Sequence, residues 1–384
     1  MPLHLTCVSH AACRCLAPPF IDDYAPDHLR GAWLALFYSA IPIGQAVGFV
    51  FGGKMNSSSL GWRGAFLLES FAMAPFTLVC FFATNRFKPR HNAVTSSSLS
   101  LPGENLSEPL LGDEHAEASS GLSPVVVKSS ALHHSPLQHL KRLFLDIAAC
   151  LRTPMWSLAT FGYASFTFTL GSFAYWGPTI VTKLFPDVSL DTADLAFGGV
   201  TAGTGLVGTA IGGLILDRLI KRDAIVPADG SLSKSGKTML ILFFSMCIGS
   251  PLLFCAFLMT SFSSMIALLA VGELFLFITT APSNAVLLWC VPSDQRAFSM
   301  AFSVVVMHLF GDVPSPVFTG YLLQQYGTTP AVLTITAFLS VAILCWGGGF
   351  VYDYPLHYFP QLRHVYCVLS VAVCFTCIFT GMLA

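Results

Sequence analysis

Charge is what this sequence has least of. Only 10% of its 384 residues are charged, while 54% are hydrophobic; a water-soluble domain carries roughly 25% charged residues. So few ionic groups cannot cover a surface that faces water on all sides, which excludes a typical soluble enzyme. The same apolar content excludes a chain disordered throughout. Basic excess is absent as well. Nineteen Lys and Arg stand against 20 Asp and Glu, so nothing draws the chain to a phosphate backbone and nucleic acid is not an expected partner. No phosphate-cradling loop, dinucleotide fingerprint or nucleophile elbow occurs, so neither a cofactor nor catalysis is implied. The 12 Cys are scattered. Cys13 with Cys15 and Cys374 with Cys377 are the only close pairs, and neither has the partners that a zinc site needs. They read as small apolar packing residues.

What the sequence does have is apolar blocks long enough to cross a bilayer, which takes about 20 residues per helix. They fall at about 31–53, 64–84, 155–182, 193–216, 237–260, 263–291, 297–323 and 330–352, with a further stretch at 364–384 as a candidate ninth. The expectation is an all-α polytopic membrane protein with about eight complete spans. Arg14, Pro18 and Pro19 interrupt the apolar start, which therefore does not read as a signal peptide. Four segments follow: 1–84, a polar central loop at 85–150, a six-helix bundle at 151–352, and the C-terminal stretch 353–384. The middle of the loop, rich in Ser, Glu and His without periodicity, reads as disordered. Its tail, His139 to Phe144, reads as an amphipathic helix at the membrane surface.

Alternate loops carry very unequal numbers of Lys and Arg: thirteen on one side and three (Lys54, Arg63, Lys183) on the other. The positive-inside rule places the central loop in the cytoplasm. Asn56, in Asn56-Ser57-Ser58, then lies on the opposite side as a glycosylation candidate.

Ionisable residues inside spans cost several kcal/mol and are functional candidates by default. Four lie well inside spans: Glu69, Glu273, His308 and Asp312. Each could simply hydrogen-bond a neighbouring helix. Burial disfavours charge on a carboxylate, so Glu273 and the His308–Asp312 pair, stacked four residues apart on one helix face, are the candidates for substrate contact or proton coupling. Asp312 has a structural alternative, satisfying backbone groups freed by nearby prolines. The His-x-x-x-Asp spacing also occurs in acyltransferases, but those use a soluble fold.

Glycines recur every four residues at Gly44, Gly48 and Gly52, at Gly199 and Gly203, and at Gly208 and Gly212, a pattern that lets helix backbones pack closely. Gly311, Pro314 and Pro316 predict a break in the span 297–323. Gly213, Asp217, Arg218, Lys221 and Arg222 form the pattern G-x-x-x-D-R-x-x-K-R at a helix end. There Asp217 can latch the cytoplasmic side by pairing with Arg218 or with a neighbouring helix terminus.

That last pattern resembles the cytoplasmic-loop signature of the major facilitator superfamily. Ala17 to Asp23, Phe37 to Gly44, Trp62 to Phe66, Gly171 to Pro178, Gly272-Glu273 and His308 to Pro316 resemble the fourth to eleventh helices of its Spinster-type lipid transporters, the plant-type sphingolipid transporters above all. The resemblance implies a bundle that starts late in the fourth helix, lacking the first three helices. It also implies alternating access for a lysophospholipid or sphingoid lipid, with protons as a possible coupling ion and late endosome, lysosome or vacuole as the location. An acidic dileucine pattern at Glu104 to Leu111 points the same way. A shortened chain also leaves a second reading, a non-transporting scaffold or partner of a full-length transporter.

Overall fold

The computed structural model describes residues 15–26, 28–56, 61–83, 136–225 and 233–353. Every regular element among them is helical. In chain order these are α1 (residues 15–24), α2 (Arg30–Tyr38), α3 (Ala40–Asn56), α4 (Gly61–Ala83), α5 (Pro136–Arg152), α6 (Pro154–Leu184), α7 (Leu190–Ile225), α8 (Lys234–Ala256), α9 (Phe262–Ile278), α10 (Thr280–Trp289), α11 (Arg296–Met307), α12 (Pro314–Gln325), α13 (Thr328–Ala337) and α14 (Leu339–Asp353).

Among the described residues, five helical stretches are long and apolar enough to cross a membrane: Leu190–Lys221, Lys234–Ala256, Phe262–Trp289, Ser293–Gln325 and Thr328–Asp353. They coincide with five of the eight expected spans, and the chain is an integral, multi-pass membrane protein. The expected span 155–182 falls on α6, whose 31 residues rise about 46 Å. Its Ser and Thr residues lower its apolarity, and most of their hydroxyls are spent inside the bundle. Ser165 donates to the carbonyl of Phe338, Thr169 to that of Ile335, and Thr319 of α12 donates to Ser172. The Phe338 carbonyl stands where α13 gives way to α14, and it also accepts from Val341 N at 3.0 Å.

α9 lies between α7 and α8, while α14 packs on both α6 and α8. Trp156 and Trp346 are fully buried in the core that these helices share. α2 and α3 run along α7, joining the N-terminal segment to the C-terminal bundle. The expected span 31–53 is divided at Ser39, because Pro42 has no N–H to continue the ladder. Ser39 turns its hydroxyl onto the Leu36 carbonyl there. The helix expected at the tail of the central loop, His139 to Phe144, falls within α5, which begins at Pro136 and rests its C-terminal end on α6 and α11. Residues 84–135 and 354–384, with the disordered loop, the dileucine pattern and the ninth stretch expected there, lie outside the described residues, as does most of the Asn56 sequon.

Candidate functional site

Asp22, Asp217 and Arg296 lie where α1 ends and α2 and α11 begin. Two contacts join the N-terminal segment to the C-terminal bundle there. The first is built by α2. A helix start leaves its first N–H groups without partners, and Leu29 at the N-cap has no side chain to take them. Asp217 of α7 takes them instead, accepting from Gly31 N at 2.7 Å and Ala32 N at 2.9 Å. The backbones must touch for this. An added Cβ on Gly31 would lie 2.7 Å from the Gly213 carbonyl, and one on Gly213 would lie 2.6 Å from Ala35 Cβ. Of the two partners expected for Asp217, the geometry selects the helix terminus. Arg218 points outward, Lys221 is exposed, and the side chain of Arg222 lies outside the described residues.

The second contact has no counterpart in the sequence reading. Asp22 of α1, fully buried, accepts from Arg296 Nη1 at 2.9 Å and from Trp289 Nε1 at 3.0 Å. Asp23 reaches the same guanidinium only at 3.5 Å and is mostly exposed. In sequence, Arg296 is only one of the thirteen Lys and Arg on the more basic side. Its partner lies 274 positions away, and no local pattern links the two. The only available signal was two acids following the apolar run Phe20-Ile21.

Glu273 lies within the bundle, 3% exposed, on the side of α9 that meets α7. Its carboxyl receives Thr201 Oγ1 at 3.2 Å and Thr204 Oγ1 at 3.3 Å. Thr204 also donates to the Val200 carbonyl at 2.7 Å, so its one hydroxyl proton is divided between two acceptors. No cation pairs with Glu273 among the described residues. Close packing holds α9 in place: a Cβ on Gly208 would sit 2.6 Å from the Leu274 carbonyl, and one on Gly272 would sit 2.7 Å from Leu253 Cγ.

The expected break in the span 297–323 is a π-helical turn over His308–Asp312, with Val313 N donating to the His308 carbonyl at 3.1 Å. Pro314 and Pro316 cannot donate to the carbonyls four residues before them, so the ladder shifts register. His308 Nδ1 and Asp312 Oδ2 are 2.7 Å apart. The pair forms as expected, but it is not enclosed: the two side chains are 42% and 37% exposed. The helix face that carries them also exposes Leu309, Val313 and Val317. Its inner side is tight, since only a glycine at 311 fits beside the Ala164 carbonyl, 2.8 Å from where a Cβ would lie. Asp312 does not stand in for backbone groups freed by the prolines; its own carbonyl takes the hydroxyl of Ser315.

Glu69 lies on an exposed face of α4, apart from the other acids. The expected glycine packing holds at Gly208 and Gly212, which approach α9 closely, and is corrected elsewhere. Gly44, Gly48, Gly199 and Gly203 would meet nothing within 4 Å if given a Cβ, whereas Gly205 meets Pro42 of α3 and Gly213 meets α2. Gly44 and Gly48 lie about 160° and 120° around α3 from Pro42, a residue that touches α7. The surroundings of Gly52 lie outside the described residues.

Comparison with known proteins adds the following. The Major Facilitator Superfamily profile matches residues 8–236, and that of the Organic Anion Transporter Polypeptide (OATP) family matches 255–328. The chain is 35% identical over 339 residues to the Arabidopsis thaliana protein named "Probable sphingolipid transporter spinster homolog 3", covering 88% of this chain and 61% of that one. With "Protein spinster" of Drosophila melanogaster the identity is 27% over 329 residues, 83% of this chain and 45% of the relative. The chain thus spans less than two thirds of the length of these relatives. A crystal structure of a bacterial homologue of the human lysosomal transporter Spinster, inward-facing and unoccupied, aligns with a TM-score of 0.44 at 17% identity. That alignment covers 95% of this chain and 72% of the other.

Proposed function

The chain belongs to the major facilitator superfamily, and from that premise we propose that it moves a sphingoid-type lipid across a membrane by alternating access. The observation that carries the reading is the pair of contacts at the basic end. Asp217 on the α2 terminus and Asp22 on Arg296 each tie the N-terminal segment to the C-terminal bundle through groups that can separate and be rehydrated. Such a closure is one state of a two-state element. The substrate class rests on the plant relatives, named as sphingolipid transporters. The membrane of a late endosome, lysosome or vacuole is part of the proposal.

Glu273, held by two hydroxyls and no cation, is the proposed proton carrier. A proton taken up in only one conformation biases the equilibrium between the two, and that is what coupling requires. The half-exposed His308–Asp312 pair is the proposed relay to the space beside α12.

The test is uptake of a fluorescent sphingoid lipid into proteoliposomes holding the chain, with and without a pH gradient. Saturable uptake that loses its gradient dependence in Glu273→Gln is expected. Uptake equal to that of protein-free vesicles would overturn the transport reading in favour of a non-transporting partner. Gradient dependence that survives in Glu273→Gln would remove the proton role from this acid.

A further inference from the structure

α5 carries an apolar stripe that the bundle does not use. Leu140, Leu143, Phe144, Ile147 and Leu151 follow the spacing of one helix face, and among them Leu140 is 49% and Phe144 62% exposed. Only the C-terminal end of the helix, around Cys150, is buried against its neighbours. The polar side carries three basic residues, Lys141, Arg142 and Arg152, against one acid, Asp146, a local charge of +2. None of the three makes an ion pair among the described residues. Lys141 and Arg152 lie about 100° to 120° around the helix from the stripe, where long basic side chains can lay their stems along apolar surface and present their charges beside it.

We propose that α5 is a docking surface for anionic lipid at the basic end of the bundle, lying in the leaflet interface with its stripe among the acyl chains. Two features single out this occupant. α5 leads within two residues into α6 at Pro154, which puts the helix where α6 enters the bilayer. The flanking charge is positive, as binding to phosphate and serine headgroups requires. An apolar face of a second copy or of another protein would explain the stripe but would leave the three basic groups without a role.

Hydrogen exchange of the whole chain in phosphatidylcholine nanodiscs, with and without phosphatidylserine, tests the proposal. Residues 140–149 are expected to exchange more slowly with phosphatidylserine, by about fivefold per basic side chain and up to roughly a hundredfold for three. The triple variant Lys141→Gln, Arg142→Gln, Arg152→Gln should erase the lipid difference while leaving exchange in α6 unchanged. Phe144→Gln should weaken protection in both kinds of disc. Equal exchange of α5 in the two lipids would overturn the proposal. So would equal protection in lipid-free detergent, which would identify a protein cover instead.

Discussion

Asp217→Asn isolates the contact between α2 and α7, and the structure sets its size. The carboxylate accepts two backbone N–H groups, at 2.7 and 2.9 Å, that have no partner within their own helix. A hydrogen bond to a charged group contributes about 1.5–3 kcal/mol, and an anion at a helix N-terminus adds some tenths more. Asparagine keeps one acceptor oxygen but turns an NH2 toward the second N–H, so one bond is lost and a donor faces a donor. The expected loss is about 2–3 kcal/mol, a 30- to 150-fold shift toward the separated state. Gly31→Ala should act in the same direction, because its Cβ would lie 2.7 Å from the Gly213 carbonyl and 2.8 Å from Asp217 Oδ1. Hydrogen exchange reads both variants. Peptides over residues 30–38 should lose protection by that factor, while those over α8 and α9 stay unchanged. Unaltered exchange in α2 would refute the reasoning, and a uniform loss over the whole bundle would show that Asp217 supports the fold as a whole.

Asp22→Asn should lower the melting temperature by the equivalent of about 2 kcal/mol, less than the 3–5 of a fully buried pair because Arg296 retains some exposure; Asp23→Asn should change nothing measurable. Thermal unfolding should also separate two glycines. Gly311→Ala forces a Cβ against the Ala164 carbonyl and destabilises by about 1–3 kcal/mol, whereas Gly203→Ala meets open space and gains up to about 1 kcal/mol of helix propensity. Equal shifts for the two would show that the close approach at 311 is not a constraint. Protease added outside sealed right-side-out vesicles should spare residues 91–140, and cleavage there without permeabilisation would reverse the assigned topology.

The spans were legible because apolar blocks of bilayer length have few alternatives, and the break at 308–312 because two prolines remove two donors within one turn. Gly213 and Asp217 were legible as a pair but not as to partner, since the α2 terminus that Asp217 caps is 186 residues away. Distance in sequence likewise hid Asp22 from Arg296, and the hydroxyls of Thr201 and Thr204 from Glu273. The glycines mark a different limit. A four-residue spacing identifies one side of a helix but not what stands opposite. Gly199 and Gly203 therefore carried the same pattern as Gly208 and Gly212, yet only the second pair is in contact. The exposure of Asp312 was hidden for the same reason.

α7 carries parts of both the proposed gate and the proposed proton site. Near its C-terminal end it holds Asp217, and about 20–24 Å back along its axis it presents Thr204 and Thr201 to Glu273. Because it is one uninterrupted helix over that distance, it behaves as a shaft: whatever slides or turns one end does so to the other at once. The tolerances are small. A displacement of a single residue rise, about 1.5 Å, directed along the bonds would carry either set beyond about 3.5 Å, where hydrogen bonds lapse. Releasing α2 and stripping the hydroxyls from Glu273 are then two readings of the same stroke. The timing between a gate and a proton would need no relay of side chains across the bundle, only the stiffness of this helix.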